Sequence, residues 1–528
     1  MQENSGLLIH SEINEVLGKG DAVVQTPPPM PAPFPLLPGT PITFISTMNL
    51  RALIPENAQS FKTKTIKKLT ECTGGEHALK KVLSPLDLTL MGIGAIIGTG
   101  IFVITGVVAA NYSGPALVVS FVIAGIVCTF AALSYAEFAA MVPVAGSAYT
   151  YSYASLGEIW AWIIGWDLIL EYAVSIAAVA VGWSGYITSL AAGVGITIPA
   201  ALANPPGTGG GLVNIPAMTI ILLVTILLVI GVKESVRVNT VIVCIKIGVI
   251  LLFLYLAFGH IRPANWVPFM PFGWSGVITG AAIVFFAYIG FDAVSTAAEE
   301  VNNPQRNVPI GILSSLAIAT VLYIAVSAVL TGIVPYSLFA GTSAPVAFAL
   351  GQIGISWGSA LISVGAICGI TSVIIVLMYG QTRIFFAMSR DGLLPGLFRQ
   401  VHPVYRTPVK VTILVGAVTA VLAGFLPLTT IAELVNIGTL AAFIIVSLGV
   451  IVLRITQPSL PRPFRCPLVP LVPSLCILSC GYLILALPLV THLRFVLWLA
   501  VGLVIYILYS RHHSRINEDT SALDCWKA

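Results

Sequence analysis

The chain has 528 residues, of which 57% are hydrophobic and only 9% are charged, and its formal net charge is +4. Soluble domains carry about 25% charged residues, so this chain has too few polar side chains to cover a water-facing surface. The composition therefore excludes a soluble globular protein and predicts an all-α, polytopic membrane protein with lipid as its solvent. The cysteines form no CxxC pair, so we expect neither a disulfide framework nor a metal site, and we expect no cofactor and no nucleic-acid partner.

Residues 1–83 precede the first apolar segment and are expected to form a largely disordered cytoplasmic segment. The stretch 27–41 reads PPPMPAPFPLLPGTP, which favours an extended, unpacked chain. No signal-peptide pattern is visible, and the basic residues of 62–81 are expected to lie on the anionic leaflet. Two interpretations of residues 1–47 stay open: they are translated, or translation starts at Met48 and they are an upstream extension.

Twelve apolar segments follow, and each is long enough to cross a hydrocarbon core of about 30 Å, which takes about 20 residues. Cytoplasmic loops carry an excess of Lys and Arg, which predicts both termini in the cytoplasm of a cell-membrane protein. In that orientation all but three of the 25 Lys and Arg residues are cytoplasmic; the exceptions are Arg262, Arg494 and Lys246. The approximate spans are 85–109, 114–140, 158–192, 214–232, 239–259, 275–298, 309–334, 356–386, 408–426, 431–453, 467–490 and 492–510.

Glycines interrupt the first apolar segment, which contains MGIGAIIGTGIF with Gly92, Gly94, Gly98 and Gly100. Each glycine costs a helix interior about 1 kcal/mol relative to alanine, so the helix is weak here. A GxxxG packing face explains Gly94 and Gly98. It leaves the Thr99–Gly100 step in the middle of the membrane unexplained, and this step indicates a break in the helix.

The sixth segment is interrupted in the same way. It contains FFAYIGFDAVSTAAEE, in which Asp292 follows Gly290. Aspartate is unfavourable inside a helix and favourable in its first turn, so we expect Asp292 to cap a half-helix that begins near Gly290. Unwound backbone at this depth is tolerated only where protein buries it or where it lines a cavity.

Interrupted segments at matching positions of two five-helix halves are typical of an inverted repeat with a central substrate site. The halves would be residues 84–259 and 274–454, followed by two further helices within 467–510 and a cytoplasmic tail at 511–528. At such a site, free N–H groups of a half-helix bind a carboxylate and free carbonyl oxygens bind an ammonium group. This combination predicts an α-amino acid as the substrate.

Six stretches of the sequence, in this order, resemble the amino acid–polyamine–organocation transporter superfamily and, within it, the bacterial relatives of the cationic amino acid transporters. They are GIGAIIGTGIF, YAEFAAMVPVAGSAYTYSY, GWDLILEY, FFAYIGFDAVSTAAEEVNNPQRNVP, GQTRIFFAMSRDGLLP and ELVNIGTLAAF. The resemblance extends over roughly residues 80–510 and implies a leucine-transporter-like fold with discontinuous helices 1 and 6. Vertebrate cationic transporters have two more spans, so twelve spans favour the prokaryotic-type branch, whose substrates are broader and often neutral.

The resemblance also implies the residues that bind substrate. Backbone amides of the first broken segment would bind the carboxylate, and carbonyl oxygens of both broken segments would bind the ammonium group. The residues so implied are Thr99 and Gly100 for the carboxylate and Ile96, Phe286, Ala287 and Ile289 for the ammonium group. We expect the sixth and eighth segments to limit side-chain size through an aromatic gate and pocket residues, namely Phe286, Gly369, Ile370 and Met378.

Lys246 is the only basic residue deep inside a predicted span. Its long side chain could reach the membrane interface. Alternatively, its ammonium group could stay deep in the membrane, where a charge is energetically costly and indicates a functional role. In the resembling family, a lysine of the fifth span stands where sodium-coupled relatives hold a cation. The resemblance thus favours Lys246 as the proton-coupling group.

Two carboxylates, Asp167 and Glu171, lie one turn apart on the same face of the third segment. They could meet a cationic substrate or pair with polar groups inside the bundle, and we favour the structural role. Charged residues at the predicted cytoplasmic ends would form either a charged gate or a solvated rim; they are Glu137, Glu299, Glu300, Arg306 and Arg383.

The predicted function is a secondary active transporter, not an enzyme, that imports L-amino acids by alternating access as a monomer in the lipid bilayer. We expect proton symport of small or medium neutral amino acids, with cationic amino acids or exchange as alternatives. An intramembrane serine protease could use the GWSG sequences at 182–185 and 273–276, but all histidines lie in the termini or near span ends, where none can serve as the base. A channel would show a filter motif, and none is visible.

Overall fold

The computed structural model describes residues 83–515, except 145, 194, 231–232 and 403–406. The predicted cytoplasmic segment before residue 83, including Met48, lies outside the described residues, as does the end of the predicted tail. Within the described part of the chain, fourteen helices have eight or more residues. They are α1 Pro85–Ile96, α2 Leu117–Met141, α3 Ser147–Ser155, α4 Glu158–Gly193, α5 Ile215–Ile230, α6 Lys233–Phe258, α7 Gly273–Val284, α8 Pro304–Ile333, α9 Pro345–Gln352, α10 Ser356–Arg390, α11 Val409–Phe425, α12 Leu428–Thr456, α13 Leu471–Leu485 and α14 Leu489–Ile505.

These helices are those of a multi-pass membrane protein. Large apolar side chains such as Leu478 and Leu485 of α13 are 69% and 79% exposed, as expected of a face that contacts lipid. Four shorter apolar helices, α1, α5, α11 and α13, have 10–17 residues. Eight longer helical stretches of the described residues could cross a membrane by length and composition: Gly100–Met141, Glu158–Gly193, Asn239–Phe258, Gly273–Thr296, Pro304–Ile333, Ser356–Arg390, Glu433–Thr456 and Leu489–His513.

Local sequence explains where α1 begins. Ser84 and Asp87 form a reciprocal capping box, in which the Ser84 N–H donates to Asp87 Oδ2 at 2.9 Å and the Asp87 N–H donates to Ser84 Oγ at 3.3 Å. Pro85 occupies the first helical position, where its missing N–H costs nothing. We call this end of the bundle the Ser84 end.

The first interruption lies between α1 and a π-helical segment, Gly100–Ile104. α1 ends at Ile96, and Ile97 then takes an extended backbone conformation with φ −80° and ψ 105°. Gly98 and Thr99 connect this residue to the next helical segment. The glycine-rich stretch therefore breaks the helix.

The second interruption follows α7. A 3-10 turn, Phe285–Tyr288, leads to Ile289 in an extended conformation and to Gly290 at φ 116°, a value that favours glycine because it has no Cβ. The chain then forms one short α-helical turn, Ala293–Thr296, and a 3-10 turn, Ala298–Glu300, before α8 begins.

Asp292 occupies the N-cap position of this short turn, as expected from the sequence, but its side chain does not cap the turn. Its carboxylate makes no capping hydrogen bond and instead accepts hydrogen bonds from Tyr172 Oη at 2.9 Å and Ser147 Oγ at 3.4 Å. The hydroxyls of Ser295 and Thr296 donate to carbonyl oxygens three residues earlier, and such bonds compete with continued helix. The restarted helix is therefore only a turn long.

Long-range packing brings the two interruptions together. α4 packs against α10 and α12, α8 packs against α1 and α2, and α6 packs against α1 and α10. At the Ser84 end, the Leu83 N–H donates to the Glu300 carbonyl oxygen and the Asn302 N–H donates to the Leu83 carbonyl oxygen, each at 3.1 Å. These bonds tie the start of α1 to the chain that follows the second interruption.

Candidate functional site

A cavity of about 260 Å³ lies where the two interruptions meet. Both interruptions, α4 and α10 contribute to its wall, and every lining residue is buried. The lining residues are Ala95, Ile96, Gly98, Thr99, Gly100, Ser175, Val179, Phe286, Ile289, Val373 and Leu377.

Glycine is required where the two interruptions touch. A Cβ added to Gly100 would collide with the Cα and Cβ atoms of Ala287, and a Cβ on Gly290 would lie 3.0 Å from backbone atoms of Ala95. Gly98, Thr99 and Gly100 lie at the N-terminus of the π-helical segment, and the N–H groups of a first helical turn lack intrahelical acceptors. The cavity wall thus combines amide donors with the apolar side chains around them.

A tyrosine that the sequence did not single out joins the two interruptions. The Tyr323 hydroxyl of α8 lies 2.9 Å from the carbonyl oxygen of Ile96 and 2.7 Å from that of Ala287. Both carbonyl groups were expected to bind an ammonium group, and each retains a second lone pair for it. The only sequence signal was a tyrosine within an apolar span.

Lys246 lies behind the first interruption and is fully buried. Its Nζ donates hydrogen bonds to the carbonyl oxygens of Gly94 at 2.9 Å and Ile97 at 2.7 Å, and to Ser372 Oγ at 3.0 Å. These three acceptors use all three donors of an ammonium group. The side chain therefore does not reach the interface; it binds the C-terminal end of α1, where the helix dipole is negative.

The α10 residues expected in the pocket are buried but do not line the cavity. Ile370 and Met378 have no exposed surface. Gly369 faces Lys246, whose Cβ would lie 3.0 Å from a Cβ added there. The α10 residues that line the cavity are Val373 and Leu377, which are one helical turn apart.

The two carboxylates of α4 also lie outside the cavity lining. Asp167 is 1% exposed and faces Gly438, where an added Cβ would lie 2.6 Å from Asp167 Oδ1. Glu171 is 2% exposed and precedes Tyr172, the residue that donates to Asp292. Their positions agree with a role inside the bundle rather than contact with a ligand in the central cavity.

The charged residues expected at one end fall into separate clusters. Glu300 accepts a hydrogen bond from Tyr379 Oη at 2.9 Å, and Arg383 donates to the same hydroxyl at 3.0 Å. Glu137, at the end of α2, is fully buried and pairs with Arg454 of α12 through two hydrogen bonds of 2.8 and 2.9 Å. A solvated rim therefore does not describe Glu137.

Arg462, in the loop after α12, completes the Glu137 cluster. Its Nε lies 3.2 Å from Glu137 Oε1, and its other nitrogens donate to four carbonyl oxygens at the end of α12 and in the loop. This guanidinium adds side-chain donors to carbonyl groups at and beyond a helix end, where intrahelical donors are missing.

Replacing Arg462 with alanine is expected to destabilise the protein. The change removes the donor to the buried bond with the Leu453 carbonyl oxygen and one of the two guanidinium partners of the buried Glu137. Losing hydrogen bonds to a charged group costs about 2 kcal/mol. The midpoint of thermal unfolding in detergent should fall by several degrees. Arg494→Ala removes an exposed arginine and should leave the midpoint unchanged; equal midpoints for both variants would contradict the structural role of Arg462.

A bundle of apolar helices in which two broken segments meet at a small buried cavity defines the protein as a membrane transporter. The chain belongs to the amino acid permease family, whose sequence profile matches residues 83–509. This range contains both interruptions, the cavity and Lys246. Family membership places the chain among multi-pass permeases, and the alternatives of a protease and a channel are set aside.

The names of individual relatives state different substrates. The chain is 54% identical over 461 residues to the branched-chain amino acid permease BcaP of Bacillus subtilis, covering 87% of this chain and 99% of that protein. It is also 54% identical over 459 residues to the methylthioribose transporter of the same organism, with the same coverage. The cationic amino acid transporter 4 of Arabidopsis thaliana is 41% identical over 393 residues, covering 73% of this chain and 65% of that protein.

Proposed function

We propose that this permease imports small and medium neutral L-amino acids by proton symport. The observation that supports this proposal is the central cavity, whose lining includes residues of both interruptions. In this proposal the substrate carboxylate binds the N–H groups at Thr99 and Gly100, because the N-terminus of a helical segment attracts anions. The ammonium group binds carbonyl oxygens of both interruptions, namely those of Ile96, Phe286, Ala287 and Ile289.

The side chain of the substrate would lie between α4 and α10. Val179, Val373 and Leu377 line the cavity and would form this part of its wall, and Phe286, also in the lining, would cover it as the gate. No carboxylate lines the cavity among the described residues, so a cationic side chain would lack a partner of opposite charge. The names of two relatives, the branched-chain permeases of Bacillus subtilis and Lactococcus lactis, support an aliphatic substrate.

Competition for uptake tests this selectivity. In proteoliposomes with purified protein, unlabelled valine, leucine and alanine should compete with labelled valine. Arginine and lysine should compete more than about tenfold less well, since an uncompensated buried charge costs several kcal/mol. Methylthioribose lacks the amino acid backbone groups and should not compete. Stronger competition by arginine than by alanine would favour the cationic alternative, and competition by methylthioribose alone would favour the substrate of that relative.

We further propose that Lys246 carries the coupled proton. When protonated, its ammonium group holds the end of α1 through Gly94 and Ile97 and binds Ser372 of α10. Loss of the proton removes one donor and the charge, which weakens the hold on α1. The contact between Lys246 and α1 thus has two states, and a proton gradient shifts the equilibrium between them during the transport cycle. In this proposal sodium is not needed.

We also propose the membrane topology, the orientation and the oligomeric state of the protein. Twelve spans would form two inverted five-helix repeats, residues 84–259 and 274–454, with two helices within 467–510 appended, and the protein would act as a monomer in the bilayer. The Ser84 end would be cytoplasmic, with both termini on that side. A second cavity of about 550 Å³ near this end, lined by Asp87, Asn239 and Glu300 among others, would be the release route.

Two pairs of nearby residues, one on α1 and one on α10, lie between the second cavity and the central cavity. Met91 lines the second cavity and Ala95 the central one, one turn apart on α1, while Val376 and Leu377 are adjacent on α10 and line one cavity each. Movement of α1 would join the two spaces. The hydrogen bonds of Leu83 to Glu300 and Asn302 would have to yield if the start of α1 swings away.

A further inference from the structure

One hydroxyl in the central cavity has no partner within the protein. Ser175 of α4 is 1% exposed, lines the cavity, and its Oγ makes no hydrogen bond to any described residue. Other buried hydroxyls on helices, such as those of Ser155, Thr225 and Ser363, donate to the carbonyl oxygen four residues earlier. Among the described residues, Ser152 and Ser175 are buried serines whose hydroxyls lack a partner, and of the two Ser175 lines the central cavity. A buried hydroxyl without a partner is unfavourable unless a ligand supplies one.

The position of Ser175 identifies the part of a substrate that it would meet. Thr99 packs against Gly182 of α4, and its hydroxyl donates to the carbonyl oxygen of Val179 at 3.3 Å. Ser175 lies one turn from Val179 and two turns from Gly182, which is about 10 Å along the helix axis. It thus lies one turn beyond the contact of Thr99 with Val179, and Leu377 of α10 lines the same cavity. In the proposed binding mode this position is on the side of the substrate side chain.

The rest of this part of the cavity is apolar. Val179, Val373 and Leu377 offer no side-chain hydrogen-bonding group, and Ile289 and Phe286 offer none on the side of the second interruption. The nearest hydroxyl of the lining, that of Thr99, already donates to Val179. Ser175 is therefore the side chain in this wall that can distinguish a polar atom of the substrate from a methyl group.

We propose that Ser175 is a selectivity residue whose hydroxyl forms a hydrogen bond with a polar atom on the substrate side chain, so that the permease accepts threonine alongside valine. The inference rests on the proposed function, because it needs an amino acid bound by its backbone groups at the interruptions. Threonine and valine have nearly the same shape and differ in a hydroxyl against a methyl group. Their comparison isolates the hydrogen bond from the fit of the side chain.

The test compares the two amino acids in the complete protein. Transport of labelled valine and labelled threonine into proteoliposomes is measured for the parent, Ser175→Ala and Ser175→Thr, and the KM values are compared. We expect Ser175→Ala to shift the threonine-to-valine preference by about fivefold against threonine, the factor for one neutral hydrogen bond. Ser175→Thr keeps a hydroxyl and should restore the preference at least in part.

Ser363→Ala serves as the matched control, since Ser363 is a buried serine of α10 that does not line the cavity and donates to the Ser359 carbonyl oxygen. It should leave the threonine-to-valine preference as in the parent. An unchanged preference in Ser175→Ala, with saturable valine uptake intact, overturns the role of Ser175 and leaves the proposed function standing. A parent protein that transports neither amino acid overturns the proposed function itself.

Discussion

Replacement of Lys246 by alanine or methionine is expected to abolish accumulation of substrate against its gradient. For one proton per substrate, a pH difference of one unit supports about tenfold accumulation in the parent, and the variants should reach only the external concentration. The reason is geometric: the Nζ donors that hold Gly94 and Ile97 at the end of α1 are lost, so protonation no longer controls this contact. Methionine has a side chain of similar length, so it fills the space that the shorter alanine leaves empty.

The same variants distinguish a role of Lys246 in proton coupling from a role in substrate binding. Substrate should still protect both variants against thermal unfolding, because Lys246 does not line the central cavity. Lys410→Ala is the control, since Lys410 is exposed and donates only to Gln400 among the contacts described. Accumulation by the Lys246 variants at the parent level would refute proton coupling through this residue, as would uptake in the parent that depends on sodium and survives collapse of the pH gradient.

Adding a side chain at Gly100 is expected to have the second large effect. A methyl group there meets the backbone of Ala287, which cannot rotate away as a flexible side chain would, so the two interruptions must separate. Misplacement of binding groups by about 1 Å costs about 100-fold in rate, and we expect at least this loss of uptake for Gly100→Ala and more for Gly100→Leu.

Gly248→Ala is the matched control, because Gly248 lies within α6 and nothing is within 4 Å of its added Cβ. The Gly100 variants should elute from size-exclusion chromatography like the parent and reconstitute equally well. Normal uptake by folded Gly100→Leu would show that the substrate does not bind at this junction.

Local features of the sequence were sufficient to find the two breaks. Gly98, Gly100 and Gly290 weaken or redirect a helix by their own backbone properties, and these properties act whatever surrounds them. The cost of a lysine in an apolar span is also local, which is why Lys246 was singled out before its partners were known.

The partners themselves depend on contacts between distant parts of the chain. Tyr323 meets the carbonyl group of Ile96 across a sequence separation of 227 residues, and no periodicity within a span predicts such a contact. The selection of Val373 and Leu377 over Gly369 and Met378 depends on the rotation of α10 about its axis. Packing against α4 and α6 sets that rotation, and the composition of α10 does not.

Composition, glycine positions and basic residues thus determined by themselves that this chain is a helical membrane transporter with two broken segments and one deeply placed lysine. Only the tertiary structure decided that the Asp292 side chain accepts from Tyr172 rather than from the turn that it precedes, and that Glu137 is buried between Arg454 and Arg462. Only the tertiary structure decided that the Ser175 hydroxyl lines the cavity without a partner. The physical reason is that helix breaks and burial costs are properties of single residues, whereas a hydrogen-bond partner is chosen by the packing of whole helices.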